Sequence, residues 1–148
     1  MSEPRQVTLL GSTGSIGRQA IAVAQQNSDR VQITGLAAGG GDVARLAEQA
    51  LALGVRTVAV ARATAAQDLQ LAFYAAASKR GWSKGEYALP EILAGPRAAE
   101  ELADQLPADA IEAAMVAYER EGARLAAAAR GVEVVAGALR GERWVPRL

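Results

Sequence analysis

The chain has 148 residues, enough for one domain with its own core and too few for two full ones. Lys plus Arg and Asp plus Glu number 16 each, so no net field favours nucleic acid or an anionic membrane. The absence of Cys and His excludes disulfides, thiol nucleophiles, cysteine-ligated metals and the commonest general base.

The opening Met1-Ser2-Glu3-Pro4-Arg5 has no apolar signal core, and no later apolar run approaches membrane-spanning length. The expectation is a cytoplasmic protein that partners neither nucleic acid nor membrane. Aromatic residues make up only 4% of the chain while Ala abounds, so the core must be built from small aliphatic side chains, which suits helices packed closely on a sheet.

Residues 6–10 (Gln-Val-Thr-Leu-Leu) form a β-favouring run that stops at Gly11 and predicts a buried first strand. The loop Gly11-Ser12-Thr13-Gly14-Ser15-Ile16-Gly17 follows. Residues 18–26 then predict a helix carrying apolar Ile21, Val23 and Ala24 and ended by Asn27-Ser28-Asp29. Residues 31–37 (Val-Gln-Ile-Thr-Gly-Leu-Ala) predict a second strand. Gly39-Gly40-Gly41 is a turn, and Asp42 is placed to cap a helix to about Leu53, where Gly54 stops it. Val43, Leu46, Ala47 and Ala50 recur there at helical spacing. Residues 57–61 predict a third strand.

Further along, 63 to about 80 reads as a helix with Leu69, Leu71, Ala72 and Phe73. Residues 81–89 read as a loop with Trp82 and Tyr87, beside a Lys79, Arg80, Lys84 cluster taken as solvated. Residues 90–93 predict a short strand, and Gly95-Pro96 opens a helix to about Leu106 that Pro107 ends. Residues 111–130 read as helical with a break at Gly122, and 132–136 as a last strand.

Strands alternating with helices through short loops give a parallel sheet with right-handed crossovers. The fold class expected is α/β: a Rossmann-like, doubly wound, mostly parallel sheet with helices on both faces. The expected organisation is a Rossmann-like cofactor-binding domain over 1–109 and an Ala-, Arg- and Glu-rich helical tail over 110–148 that could complete the same domain.

The loop after the first strand has a chemical purpose. A helix start presents backbone N–H groups without internal partners and the positive end of the macrodipole, so it attracts phosphate. Here Gly11 would make the turn, Gly14 the close approach of a phosphate, and Gly17 the packing of helix on strand. Ser12, Thr13 and Ser15 add hydroxyl donors. The spacing G-x-x-G-x-x-G meets the dinucleotide fingerprint only in part, and no Gly-Lys-Ser/Thr follows to make a Walker loop.

At the end of the second strand, where NAD-binding folds usually place a carboxylate for the ribose 2′-hydroxyl, stand Ala37-Ala38-Gly39-Gly40-Gly41. With no acid there to repel a 2′-phosphate, the reading favours NADPH over NADH. Asp42 reads as a helix cap rather than a ribose ligand, and Arg45 and Arg62 are the two candidates to meet the 2′-phosphate.

The string Leu10-Gly11-Ser12-Thr13-Gly14-Ser15-Ile16-Gly17 resembles the opening of 1-deoxy-D-xylulose 5-phosphate reductoisomerases, in which it is highly specific. The similarity continues through Asn27-Ser28-Asp29-Arg30, Leu36-Ala37-Ala38-Gly39-Gly40, Leu46-Ala47-Glu48-Gln49, Val58-Ala59-Val60-Ala61 and Pro90-Glu91-Ile92-Leu93-Ala94-Gly95-Pro96, to about Asp109. The Ala-rich style is similar to the actinobacterial branch.

The resemblance implies an NADPH-dependent enzyme of the non-mevalonate isoprenoid pathway. Such an enzyme converts 1-deoxy-D-xylulose 5-phosphate to 2-C-methyl-D-erythritol 4-phosphate with a divalent cation, Mg or Mn. It also implies that Thr13, Gly14, Ser15 and Ile16 contact the cofactor at the first loop and Gly39, Gly40 and Gly41 at the second, where many relatives carry a basic residue and an Asn.

Past Asp109 the family's Asn-Lys-Glu-Ser motif, acidic metal ligands and histidines are not found in this sequence. Glu112, Glu119, Glu121 and Glu133 match no metal motif and read as a solvated helical surface. The expectation is therefore no catalytic or metal-binding residue here and no turnover by this chain alone. The alternatives are a non-catalytic nucleotide-binding module that forms a homodimer, and a tail that is an out-of-frame remnant.

Overall fold

Short β-favouring runs separated by amphipathic segments pair into one parallel sheet in the computed structural model, which describes residues 4–83, 85–105, 110–113, 133–136, 139–140 and 143–144. Its strands are β1 (Arg5–Leu10), β2 (Val31–Ala38), β3 (Thr57–Val60), β4 (Glu91–Ala94), β5 (Ala110–Ala113) and β6 (Glu133–Ala136). They lie in the order β4-β3-β2-β1-β5-β6 with every pairing parallel. The helices are α1 (Ser15–Gln26), α2 (Val43–Leu53), α3 (Ala66–Lys79) and α4 (Ala98–Gln105). A single 3-10 turn, Ala63–Ala65, leads into α3. Leu139–Arg140 (β7) and Arg143–Trp144 (β8) form a separate antiparallel pair that the sequence did not suggest.

The register explains how helices come to cover both faces. Leu9, Leu36, Val58 and Ile92 lie side by side across the sheet and pack with Ala20, Ile21 and Ala24 of α1, Leu46, Ala47 and Ala50 of α2, and Leu69 and Phe73 of α3. One residue further along each strand, Leu10, Ala37, Ala59 and Leu93 face the other way and pack with Ala98, Leu102 and Ala103 of α4. This alternation is the period of two that a strand imposes. Alanines at 37, 59, 98 and 103 let α4 lie close to its face, as the composition required. The Rossmann-like doubly wound class is observed.

β1 and β2 lose register between Val7 and Thr8, so that Thr34 is skipped. Its hydroxyl donates to the Val7 carbonyl at 3.4 Å. The ends of α1 and α2 each have an identifiable chemistry. Asn27 closes α1 with its side-chain amide on the Val23 carbonyl at 2.8 Å, and Gly54 closes α2 at φ 69°.

Three readings are corrected. Helix α1 begins at Ser15, so Ser15, Ile16 and Gly17 belong to its first turn and not to the loop. A glycine inside a helix costs about 1 kcal/mol relative to Ala, which placed the expected start after it; packing described below requires it. The helix expected over 111–130 does not begin there, because Ala110–Ala113 is β5, paired with β1 on one side and β6 on the other. Ala-Ile-Glu-Ala favours a helix locally, but the second edge of β1 offers a row of N–H and C=O groups that only another strand can satisfy. Glu112 and Glu133 therefore stand on strands and not on a helical surface. Residues 114–130, with Glu119, Glu121 and Gly122, lie outside the described residues, as do residues 106–109 at the expected end of α4.

Candidate functional site

The strands run from β1 outward through β2 and β3 to β4, and the next strand, β5, falls on the opposite side of β1. The order therefore reverses between β1 and β5, and in open α/β sheets the crevice at that reversal, outside the carboxyl ends of the strands, is where ligands bind. The Gly11–Gly17 segment leaves β1 at that point.

Gly11 turns the chain at φ 84°, a conformation open to glycine and costly for other residues. The Gly11 and Ser12 amides both donate to the Ala37 carbonyl, at 2.7 and 3.0 Å, which fixes the turn to the end of β2. Gly14 precedes α1 in extended conformation and gives its amides no side-chain cap, so the first-turn N–H groups keep their donor capacity. Gly14 and Ser15 are exposed, Thr13 is half-buried, and Ser12 is fully buried. Ile16 lies in the same turn; its side chain lies outside the described residues.

Gly17 has a different task. A Cβ there would run into the Gly11 carbonyl oxygen and lie 2.7 and 2.8 Å from the Ser12 Cα and carbonyl carbon, whereas at Gly14 it would meet only the Gly11 oxygen, at 3.6 Å. The helix thus rests directly on the backbone of the turn, as expected for the third glycine.

The second loop, Gly39-Gly40-Gly41, leaves β2 beside the first. Gly39 and Gly41 are open to solvent, with no atom within 4 Å of a Cβ built on either. Gly40 is at φ 105°, and a Cβ there would lie 3.1 Å from that of Ala65 and 3.2 Å from that of Arg62. The Arg62 amide donates to the Gly39 carbonyl at 3.1 Å, so the end of β3 is tied to this loop. Asp42 caps α2, accepting from the Arg45 amide at 3.1 Å, and pairs with the Arg45 side chain at 3.1 Å. The Arg45 amide chiefly, then its guanidinium, hold the Asp42 carboxyl below its usual range, and the charge of Arg18 adds to this. The acid nearest the second loop therefore caps its helix, as read from the sequence, and is also paired with Arg45, which the sequence had offered as a partner for the 2′-phosphate.

The structure places the two predicted clusters, Thr13 to Ile16 and Gly39 to Gly41, at the carboxyl ends of the two adjacent central strands, β1 and β2. Sequence reasoning missed Gln49, whose side-chain amide reaches from α2 to donate to the Ser12 carbonyl at 2.9 Å. Its signal was a polar side chain between Ala47 and Ala50 on the buried side of α2. Trp82 and Tyr87 pack against each other with ring centroids 5.6 Å apart, and Arg80 lies over Trp82 at 5.8 Å. Their loop follows α3, away from the carboxyl edge of the strands. Among the described residues no group of three His, Cys, Asp or Glu side chains could hold a metal, and no helix is long and apolar enough to cross a membrane.

A parallel sheet wound on both faces, with a glycine-rich first crossover at its switch point, defines an α/β domain of the Rossmann type. The family model for 1-deoxy-D-xylulose 5-phosphate reductoisomerase matches residues 7–138, beyond Asp109, where the motif resemblance stops. The chain belongs to that family.

A Streptomyces coelicolor relative, a 1-deoxy-D-xylulose 5-phosphate reductoisomerase, is 53% identical over 100 residues, covering 68% of this chain and 22% of the relative. The same enzyme from Rhodococcus jostii is 38% identical over 147 residues, covering 93% of this chain and 32% of the relative. The chain thus spans between about a fifth and a third of the length of these two relatives. The solved structure of the Zymomonas mobilis reductoisomerase in complex with NADPH aligns at a TM-score of 0.61 and 31% identity over 76% of this chain and 26% of that one. Another reductoisomerase, in complex with NADPH, fosmidomycin and magnesium, aligns at a TM-score of 0.67 over 90% of this chain and 30% of that one; at 21% identity it speaks to the fold alone.

Proposed function

We propose that this chain is the NADPH-binding domain of a reductoisomerase and that its cofactor lies across the two glycine loops. The observation that carries this is Gly14: exposed, without a side-chain cap, and at the start of α1 beside the sheet's switch point. The donor set suits a pyrophosphate, since it combines first-turn amides with the Thr13 and Ser15 hydroxyls and brings no acid to the turn. Gly14 lets the phosphate reach the backbone, Ser15 and Ile16 contribute amides, and Gly39, Gly40 and Gly41 leave the adenosine ribose unobstructed.

When bound, NADPH supplies the hydride that reduces the aldehyde formed by rearrangement of 1-deoxy-D-xylulose 5-phosphate. These residues bind and orient the cofactor. The rearrangement, the Mg or Mn ion and the substrate site are assigned to the whole enzyme and not to the residues described, and a cytoplasmic location goes with this reading. β5 and β6 pair with the same sheet, which supports a tail that completes the domain instead of standing apart from it.

Isothermal titration with NADPH and NADH tests the reading: NADPH binds with a defined stoichiometry, and failure of both cofactors at millimolar concentration removes it. A self-associating, non-catalytic module is the second reading, favoured by Leu71 and Tyr74, which are 60% and 39% exposed one turn apart on α3. Sedimentation decides that point, and a clean monomer counts against it.

A further inference from the structure

The second loop poses a chemical problem. Three consecutive glycines carry no side chain to meet an anion, and Asp42 behind them is an acid. A cofactor phosphate at the tip of β2 needs a cation, which must come from a neighbouring element. Of the two arginines the sequence offered, Arg45 is held by the Asp42 carboxylate. Swinging it onto a phosphate would release that carboxylate beside the same phosphate, exchanging one favourable pair for another together with a repulsion.

Arg62 is placed differently. It is exposed at the end of β3, and it has no carboxylate partner among the described residues. Its backbone is fixed to the second loop by the bond from its amide to the Gly39 carbonyl, and a Cβ at Gly40 would lie only 3.2 Å from its own. A side chain at Gly40 would therefore press on the root of Arg62, while glycine leaves the guanidinium room to lie along the loop. β2 and β3 are neighbours in the sheet, so the guanidinium has to span one strand spacing, about 4.8 Å.

We propose that Arg62 holds the ribose 2′-phosphate and makes this domain prefer NADPH to NADH, doing from β3 what the glycine loop cannot do for itself. The inference rests on the reading of the domain as a cofactor binder and assigns the specificity of that site. A guanidinium gives a phosphate two parallel N–H donors as well as charge.

Titration of the chain and of Arg62→Gln with NADPH and NADH, and with adenosine 2′,5′-bisphosphate and AMP as fragments, tests it. The Arg62→Gln variant should weaken NADPH and the bisphosphate by about tenfold to a hundredfold and leave NADH and AMP unchanged. Arg62→Lys should recover part of the loss. Arg56→Gln, at the opposite end of β3, removes the same charge and should change nothing. Melting curves establish that each variant is folded.

Equal loss of NADPH and NADH in Arg62→Gln, or an equal loss of NADPH in Arg56→Gln, overturns the proposal. So does a parent chain that binds NADPH and NADH alike, although cofactor binding itself then survives. A parent that binds neither refutes the cofactor reading directly.

Discussion

Two glycines three residues apart should respond in opposite ways to the same methyl group. At Gly17 the added Cβ meets backbone: the Gly11 carbonyl oxygen, and Ser12 atoms at 2.7 and 2.8 Å. Backbone cannot step aside as a side chain would, so the steric cost sits at the upper end of the overpacking range, about 3 kcal/mol. Helix propensity returns about 1 kcal/mol of this. The net loss of about 2 kcal/mol lowers the melting temperature by about 6 °C for a domain of this size.

At Gly14 the φ of −74° suits Ala, and the nearest atom, at 3.6 Å, is in ordinary contact. The weaker helix cap and the smaller unfolded-state entropy nearly cancel, leaving Tm within about 2 °C of the parent. The methyl of Gly14→Ala would instead stand where the phosphate approaches the backbone and raise the NADPH Kd by about tenfold or more, equivalent to 1.4 kcal/mol. Circular-dichroism melts and calorimetric titration of both variants separate the two effects. A Gly17→Ala variant that melts with the parent refutes the packing argument. A Gly14→Ala variant that binds NADPH normally refutes the assignment of Gly14 to the phosphate.

The second loop gives a parallel contrast. Gly40→Ala, at φ 105° and against Ala65 and Arg62, should cost about 1–3 kcal/mol in urea denaturation, while Gly41→Ala, in open space, should leave the midpoint unchanged. Gln49→Leu removes the donor to the Ser12 carbonyl and should cost about 1–3 kcal/mol, read by the same denaturation, together with weaker NADPH binding. Asp42 has a folded-state pKa below its unfolded value, so its contribution is complete above the usual carboxylate range and is lost as pH falls through the lower folded value. Asp42→Asn keeps a capping oxygen that does not titrate. The parent's stability advantage over this variant should shrink between about pH 5 and pH 2 in urea midpoints taken across that range. An advantage that grows on acidification would contradict the assignment.

The first three strands and their helices were legible because each local preference agrees with the pairing. Val-Thr-Leu-Leu and Thr-Val-Ala-Val favour strands, Leu46, Ala47 and Ala50 mark one helical face, and Asp42 and Gly54 stand where α2 starts and stops. The roles of Gly11 and Gly17 were legible too, because a contiguous motif states its own geometry. The first turn of α1 was not, since Gly17 counts against a helix until the turn beneath it is seen. β5 was hidden for the converse reason: Ala-Ile-Glu-Ala has no strand signature, and its conformation is decided by β1, about a hundred residues away in sequence. A local reading has no access to such a pairing, and local preference yields where an unpaired strand edge in the core would leave polar groups unsatisfied.

That same long-range pairing gives the site its position. Without β5 on its far side, β1 would be an edge strand and the glycine turn would open on solvent; with it, the turn emerges at the reversal of strand order, at the centre of the sheet. The residues that shape the loops laterally, Gln49 from α2 and Arg62 from the end of β3, follow the same logic. Each is an ordinary polar residue in its own segment and acquires a task only through the element it lies beside. A mutation at either should therefore leave its own helix or strand intact and act on the neighbouring loop. This is the outcome to look for when binding and stability are measured on one variant.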